Sequence, residues 1–136
     1  MGERTFDDSA LVDGDSRRPT DPRRGLGTRG EDAVARWYEA RGYTVASRNW
    51  RVREGELDLV LQRGRTLVFC EVKTRRGAAF GTPFEAVTFA KQRRLRTLAL
   101  RWLSEHRVRA GELRFDVAAV RVRGSVGEID VVEAAF

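Results

Sequence analysis

Two short apolar runs that carry acidic residues constrain the fold of this chain more than any other feature. They are Gly55-Glu56-Leu57-Asp58-Leu59-Val60 and Val68-Phe69-Cys70-Glu71-Val72-Lys73. Both runs have the composition of buried strands, where an unpaired carboxylate would be costly to desolvate. Alternation places Glu56 and Asp58 on one face of the first strand, and Glu71 and Lys73 on one face of the second. A hairpin with its turn at residues 62–66 would bring Asp58, Glu71 and Lys73 together.

This convergence of two carboxylates and an ammonium group predicts a divalent-metal site. Mg²⁺ is a hard cation that prefers carboxylate, carbonyl and water oxygens. A bound ion can lower the pKa of a water and hold a phosphate oxygen, while a lysine can orient the water or offset charge on the phosphate. We therefore expect Mg²⁺, with Mn²⁺ as a substitute, at Asp58 and Glu71. The alternative is a solvated sheet face on which these residues pair with other charges.

The order of an acid, a short loop and Glu-x-Lys resembles the PD-(D/E)xK nuclease superfamily. The two runs, together with Gly30-Glu31-Asp32-Ala33, more closely resemble the YraN-like family of small bacterial proteins. That family is similar to archaeal Holliday junction resolvases. The resemblance covers roughly residues 23–132. It departs from the superfamily pattern at Leu57, where the superfamily has proline.

The resemblance implies specific roles for residues of the two runs. It implies metal ligation by Asp58, by Glu71 and by the main-chain carbonyl of Val72, with Lys73 as the catalytic lysine. It also implies that a glutamate of the first helix, here Glu31, joins the metal site.

Two acidic residues keep alternative interpretations. The string Thr28-Arg29-Gly30-Glu31 fits a capping box, in which Glu31 would bind the backbone at the start of a helix. Glu31 also lies on the packed stripe of that helix, so the cap and the ligand interpretations both stay open. Glu56 is open between a residue that supports the site and a structural residue.

The scarcity of lysine draws attention to the two that are present. Of 26 basic residues only Lys73 and Lys91 are lysine, and lysine differs from arginine as a compact charge whose pKa can be tuned. The apolar stripe of the second helix places Lys91 and Gln92 on its inward face. The resemblance implies that this helix supplies a lysine or glutamine near the scissile phosphate, and both residues occupy matching places. The alternative for Lys91 is snorkelling along apolar surface.

The charge distribution predicts a polyanionic partner. The net charge is +6, and residues 1–22 hold six acidic residues against three arginines, so the rest of the chain carries +9. Nucleic acid is the commonest polyanion, and we expect Arg75, Arg76, Arg93 and Arg94 to contact its backbone. A basic protein without such a partner, or a ribosome-associated one, is the alternative. The likeness to resolvases suggests a homodimer.

The order of predicted elements gives the fold class. Residues 1–22 have the composition of a disordered tail, and residues 23–136 are expected to form one domain. The expected elements are a helix at 28–41, strands at 43–52, 56–62 and 66–74, a helix at 88–105, and strands at 113–122 and 129–133. This is an α/β fold with a mixed central sheet flanked by helices, similar to the αβββαβ core of restriction-endonuclease-like folds.

Several function classes are disfavoured by composition. No apolar run approaches the roughly 20 residues of a membrane span, and no signal peptide is evident, so we expect a cytoplasmic protein without a membrane partner. One cysteine, Cys70, and one histidine, His106, cannot form a Cys/His zinc set. We expect Cys70 to be a buried apolar residue, Asp116 to be a paired structural acid and Trp50 to pack on the sheet.

The sequence thus predicts a metal-dependent nuclease that hydrolyses phosphodiester bonds in DNA, with branched or single-stranded forms among the candidate substrates. The alternative is a non-catalytic nucleic-acid-binding domain or protein adaptor that retains the nuclease fold. RNA as the substrate stays open.

Overall fold

The computed structural model describes residues 2–7, 22–76, 87–124 and 126–136. Its elements follow the order β1 (Gly2–Asp7), α1 (Pro22–Glu39), β2 (Thr44–Val52), β3 (Gly55–Arg63), β4 (Thr66–Arg76), α2 (Phe89–His106), β5 (Glu112–Arg123) and β6 (Val126–Val132). The stretch from α1 to β5 has the predicted αβββαβ order. The predicted α/β fold class is confirmed, and the architecture is consistent with a restriction-endonuclease-like core.

The six strands of the described residues form one mixed sheet. Their spatial order is β1-β6-β5-β4-β3-β2. Strands β4 and β5 are parallel and the other neighbours are antiparallel, so α2 serves as the crossover that a parallel pair requires. Strand β4, which carries Glu71 and Lys73, lies inside the sheet, and β2 lies at its edge.

Apolar residues cover both faces of the sheet, as expected for a strand pair buried between helices. Along β4, Val68 and Cys70 pack in the cluster formed with α1, whereas Leu67 and Phe69 pack in the cluster formed with α2. Cys70 is buried and is a free thiol, as predicted. Trp50 packs against the α2 cluster, which confirms the packing role favoured from sequence.

The beginning of the chain differs from the sequence-based expectation. Residues 2–7, predicted to belong to a disordered tail, form β1 and pair with β6. Helix α1 begins at Pro22, a residue type favoured at the first helical position, so Thr28 lies inside the helix and the capping box is wrong. Residues 8–21 of the predicted tail and the predicted loop at 77–83 lie outside the described residues.

Asp116 is the centre of a buried polar network. The Tyr38 hydroxyl donates to its Oδ2 at 2.6 Å, Arg114 Nε donates to its Oδ1 at 2.9 Å, and the Ala134 amide donates to Oδ1 at 3.0 Å. Asp116 is fully buried, and each bond offsets part of its desolvation. The prediction of a paired structural acid is confirmed. The network ties α1 to β5 and to the residues after β6.

Neither described helix is long and apolar enough to cross a membrane.

Candidate metal centre

The β3–β4 hairpin opens at the point where the predicted site lies. Its strands pair from Arg63 and Thr66 to Leu59 and Cys70, with the turn at residues 64–65. Beyond that last pair the Val72 amide donates to Asp58 Oδ2 at 2.9 Å. The Asp58 carboxylate therefore takes the hydrogen bond of a strand amide, and the side chain is held where the ladder ends.

Three carboxylates meet beside this opening. Glu31 of α1 and Glu56 and Asp58 of β3 each offer an oxygen, and the three oxygens lie within 4.8 Å of one another. All three side chains are half-buried. We call them the acidic cluster. Glu31 and Asp58 belong to the predicted metal set, and Glu56, which the sequence left open, is the third member.

A close approach of α1 to β4 brings Glu31 to the cluster. A Cβ atom added at Gly30 would lie 2.0 Å from Thr74 Oγ1, so only glycine allows the helix to lie this near the strand. Helix α1 is also held against β2, because Arg48 of β2 forms an ion pair with Asp32 of α1.

Replacing Gly30 by alanine is expected to lower the free energy of unfolding by about 1–3 kcal/mol, as overpacking of a close contact does. Alanine has a higher helix propensity than glycine, so propensity alone predicts that the variant is more stable than the wild type. Chemical denaturation of Gly30→Ala, Thr74→Ala and the double variant measures the effect. We expect Thr74→Ala to recover much of the loss, because it removes Oγ1, the nearest atom. A double variant as unstable as Gly30→Ala would contradict this contact.

The acidic cluster is electrostatically unfavourable without a cation. Burial, together with the charges of Glu71 and Glu31, raises the pKa of Asp58 to about 8, although the hydrogen bond from the Val72 amide acts in the opposite direction. Burial also raises the pKa of Glu31, against a hydrogen bond from Asn49 and the charge of Arg48. A divalent cation would favour the ionised form of both carboxyls.

Glu71 is bound by both lysines of the chain. Lys73 Nζ lies 3.1 Å from Glu71 Oε2, and Lys91 Nζ forms an ion pair with the same oxygen. Only 6% of the Glu71 side chain is exposed, against 21% for Lys73 and 32% for Lys91. The structure thus brings together the carboxylate and the two lysines that the sequence singled out.

Glu71, Lys73 and Lys91 alter one another's pKa values. Burial acts to raise the pKa of Glu71, but the hydrogen bond and charge of Lys91, with the charge of Lys73, hold it below its usual range. Burial and the neighbouring Lys91 lower the pKa of Lys73, against the attraction of Glu71. Burial acts to lower the pKa of Lys91, but its hydrogen bond to Glu71 and the negative charge of that carboxylate raise it.

The predicted ligand set and the observed grouping differ in part. Glu71 lies near enough to Asp58 to raise its pKa, but it is not among the three carboxylates of the acidic cluster. Val72 meets Asp58 through its amide. Gln92 turns to the start of α2, where its Nε2 donates to the Val87 carbonyl at 3.3 Å, so it is not brought to Glu71 as Lys91 is.

The four arginines predicted to contact nucleic acid are exposed. Arg75 and Arg76 end β4, and Arg93 and Arg94 follow Lys91 in the first turns of α2. All four therefore lie on the elements that carry Glu71 and its lysines. Their contact with nucleic acid remains a prediction.

Two residues of β2 touch the acidic cluster and were missed from sequence. Arg51 Nε donates to Glu56 Oε2 at 2.9 Å, and the Asn49 side chain lies close enough to Glu31 to lower the pKa of its carboxyl. The sequence signal was the interleaved segment at residues 48–53, which was considered only for packing and base stacking. Predicting these two contacts would have required the register of this segment against β3.

The acidic cluster fits a hard divalent cation. Its donors are carboxylate oxygens, the ligand type that Mg²⁺ prefers. Their three oxygens lie within 4.8 Å of one another, so Glu31, Glu56 and Asp58 would be the residues that hold such an ion. Burial, with the charges of neighbouring carboxylates, raises the pKa of Asp58 and of Glu31, and such an ion would favour their ionised forms.

Comparison with known proteins places the chain in a family. The model of the uncharacterised protein family UPF0102 matches residues 30–120, which contain the acidic cluster, Glu71 and both lysines. The chain belongs to this family. The predicted membership of the YraN-like family of bacterial proteins is thereby confirmed. The description of UPF0102 states no activity, so the family identifies relatives of the chain without assigning a reaction.

Relatives within UPF0102 are similar over most of their length. A UPF0102 protein of Rhodococcus opacus is 50% identical over 112 residues, which cover 82% of this chain and 95% of the relative. One of Beutenbergia cavernae is 54% identical over 106 residues, covering 77% and 90%. One of Acidothermus cellulolyticus is 48% identical over 125 residues, covering 84% and 95%.

Proposed function

We propose that this UPF0102 protein is a metal-dependent nuclease that hydrolyses phosphodiester bonds in DNA. The observation that carries the proposal is the acidic cluster of Glu31, Glu56 and Asp58 beside a buried glutamate bound by two lysines. The resemblance to PD-(D/E)xK nucleases and archaeal Holliday junction resolvases supports it. Branched and single-stranded DNA are the substrate forms to test first.

The residues of the site divide the chemistry between them. Glu31, Glu56 and Asp58 would hold Mg²⁺ or Mn²⁺, with Glu71 and the Val72 carbonyl as the further ligands that the resemblance implies. The bound ion would lower the pKa of a water and offset charge on the phosphate. Lys73 is held by Glu71 and its pKa is lowered, which suits a group that orients a water and exchanges a proton with it.

The basic surface near the site supports a DNA partner. Arg75, Arg76, Arg93 and Arg94 are exposed, and the chain after residue 22 carries +9. Contacts of this kind release counterions, so binding should weaken steeply with salt. The likeness to resolvases suggests a homodimer, which sedimentation equilibrium of the free protein would test.

One observation favours the alternative of a non-catalytic nucleic-acid-binding or adaptor domain. Lys73 and Lys91 already neutralise Glu71 in the folded chain, so this carboxylate is satisfied without a metal ion. A domain that had lost its chemistry could keep the fold by this ion-pair network alone. The two proposals differ in whether a metal ion enables cleavage.

Cleavage of labelled linear, forked and four-way DNA with Mg²⁺ or Mn²⁺ tests the proposed function. We expect Lys73→Met to reduce the cleavage rate by about 100-fold, as the loss of a positioned proton-transfer group does. Arg53→Met removes a positive charge from an exposed turn next to β3 and is the matched control, with expected wild-type cleavage. Cleavage by Lys73→Met at the wild-type rate would contradict the site. Salt-sensitive binding without cleavage of any DNA would favour the adaptor.

A further inference from the structure

Asn49 has an unusual backbone conformation at the acidic cluster. The register pairs Arg48 with Leu59 and Trp50 with Leu57, which leaves Asn49 across from Asp58. Its φ angle is 51°, in the left-handed region that most side chains avoid and that glycine adopts most cheaply. Asparagine is the non-glycine residue that tolerates this conformation best. Residues in such strained backbone conformations cluster at functional sites, where the surrounding structure holds them in place.

The side chain of Asn49 meets a member of the cluster. It lies close enough to the Glu31 carboxyl of α1 to lower the pKa of that group, which favours the ionised carboxylate. The preceding residue, Arg48, forms an ion pair with Asp32, the residue after Glu31. Two consecutive residues of edge strand β2 therefore lie against two consecutive residues of α1.

We propose that Asn49 is a positioning residue whose side-chain amide holds the Glu31 carboxylate in place to bind a divalent cation together with Glu56 and Asp58. The inference rests on the proposed metal-dependent function. The amide is neutral, so it fixes the orientation of the carboxylate without bringing a competing positive charge, unlike Arg51 on Glu56. Partners of metal-binding side chains commonly act in this way.

The backbone conformation supplies a clean set of variants. Asn49→Gly keeps the left-handed backbone at lower cost but removes the amide, so it should fold at least as stably as the wild type. Asn49→Ala removes the amide and also strains the backbone. Ala46→Gly is the matched control, because it loosens another irregular position of β2, where the register shifts between Val45 and Ser47.

Mn²⁺ affinity, measured by electron paramagnetic resonance at fixed pH and salt, tests the inference without relying on cleavage. We expect Asn49→Gly to bind Mn²⁺ about 10-fold more weakly than the wild type or worse, the usual effect of losing such a partner. Its thermal midpoint without metal should not fall. Asn49→Ala should lose both affinity and stability, and Ala46→Gly should keep wild-type affinity.

A double-mutant cycle with Glu31→Gln separates positioning from a general structural effect. If Asn49 acts through Glu31, then Asn49→Gly should cause no further loss of affinity in the Glu31→Gln background. Wild-type affinity in Asn49→Gly, or equal losses in both backgrounds, would overturn the inference while leaving the proposed function intact. A wild-type protein that binds no Mn²⁺ would overturn the proposed function, and the inference with it.

Discussion

Replacing Asp58 by asparagine is expected to abolish metal-dependent cleavage and, at the same time, to stabilise the metal-free protein above pH 8. Asp58 is the member of the acidic cluster that also adjoins Glu71, so its loss removes the central ligand of the proposed site. Asparagine has nearly the same shape and retains an oxygen that can accept the Val72 amide. The substitution therefore removes the charge while it preserves the local backbone.

The sign of the stability effect follows from the pKa of Asp58. Its folded value of about 8 lies above the ordinary 3.8, so between these values the folded state binds more protons than the unfolded state. Stability then falls as the pH rises through this window, because folding requires the Asp58 carboxylate to take up a proton, which costs more at higher pH. Asparagine has no such cost, and we expect a gain of about 2 kcal/mol at pH 9 after allowance for solvent screening.

Urea denaturation with a chelator at pH 5 and pH 9 measures this effect. The difference between Asp58→Asn and the wild type should be small at pH 5 and favour the variant at pH 9. Glu39→Gln, which removes an exposed acidic charge at the end of α1, is the matched control and should show no such pH dependence. A variant that is less stable than the wild type at pH 9 would contradict the electrostatic account of the cluster.

Replacing Glu71 by glutamine is expected to abolish cleavage as well, but to destabilise the metal-free protein. Glu71 is the shared anion of Lys73 and Lys91, and glutamine removes the negative charge that both ammonium groups contact. Removing one partner of a buried ion pair is strongly destabilising. Both lysines are partly exposed, so we expect a loss of about 2 kcal/mol rather than the larger values found for fully buried pairs.

The pH dependence of Glu71 has the opposite sign to that of Asp58. Its pKa lies below the ordinary 4.5, so its contribution to stability is present above that value and is lost as the pH falls through the folded pKa. Denaturation from pH 7 to pH 3 should therefore bring the wild type and Glu71→Gln closer together in stability. Equal stability of the two proteins at pH 7 would show that the lysine contacts contribute nothing to the fold.

The hairpin and the second helix were predictable because their patterns are local. Alternation along β3 and β4 identified the acid-bearing strands, and the short turn fixed which ends of the strands meet. The apolar stripe of α2 placed Lys91 on the face toward the sheet, where it binds Glu71. Each of these inferences needs only the period of one element and the length of one connection.

The membership of the acidic cluster was harder to predict because it depends on tertiary contacts. Glu31 meets Glu56 and Asp58 because α1 lies close to β4 at Gly30, and no periodicity in α1 or β3 reports that distance. Glu71 is not among these three carboxylates and instead contacts both lysines. Asn49 lies near Glu31 and has a left-handed backbone conformation within an edge strand. The alternation of a strand sequence does not reveal such a conformation.

The central claim is that Glu31, Glu56 and Asp58 together hold a divalent cation, and a Mn²⁺ titration of the wild type and Asp58→Asn at pH 8 tests it most directly. We predict saturable binding of about one Mn²⁺ per chain or more in the wild type, which should also raise the unfolding temperature, since the ion binds the folded state. Asp58→Asn should lose this binding while remaining folded. A wild-type protein that binds no Mn²⁺ at millimolar concentrations, or an Asp58→Asn variant that binds it equally well, would contradict the claim.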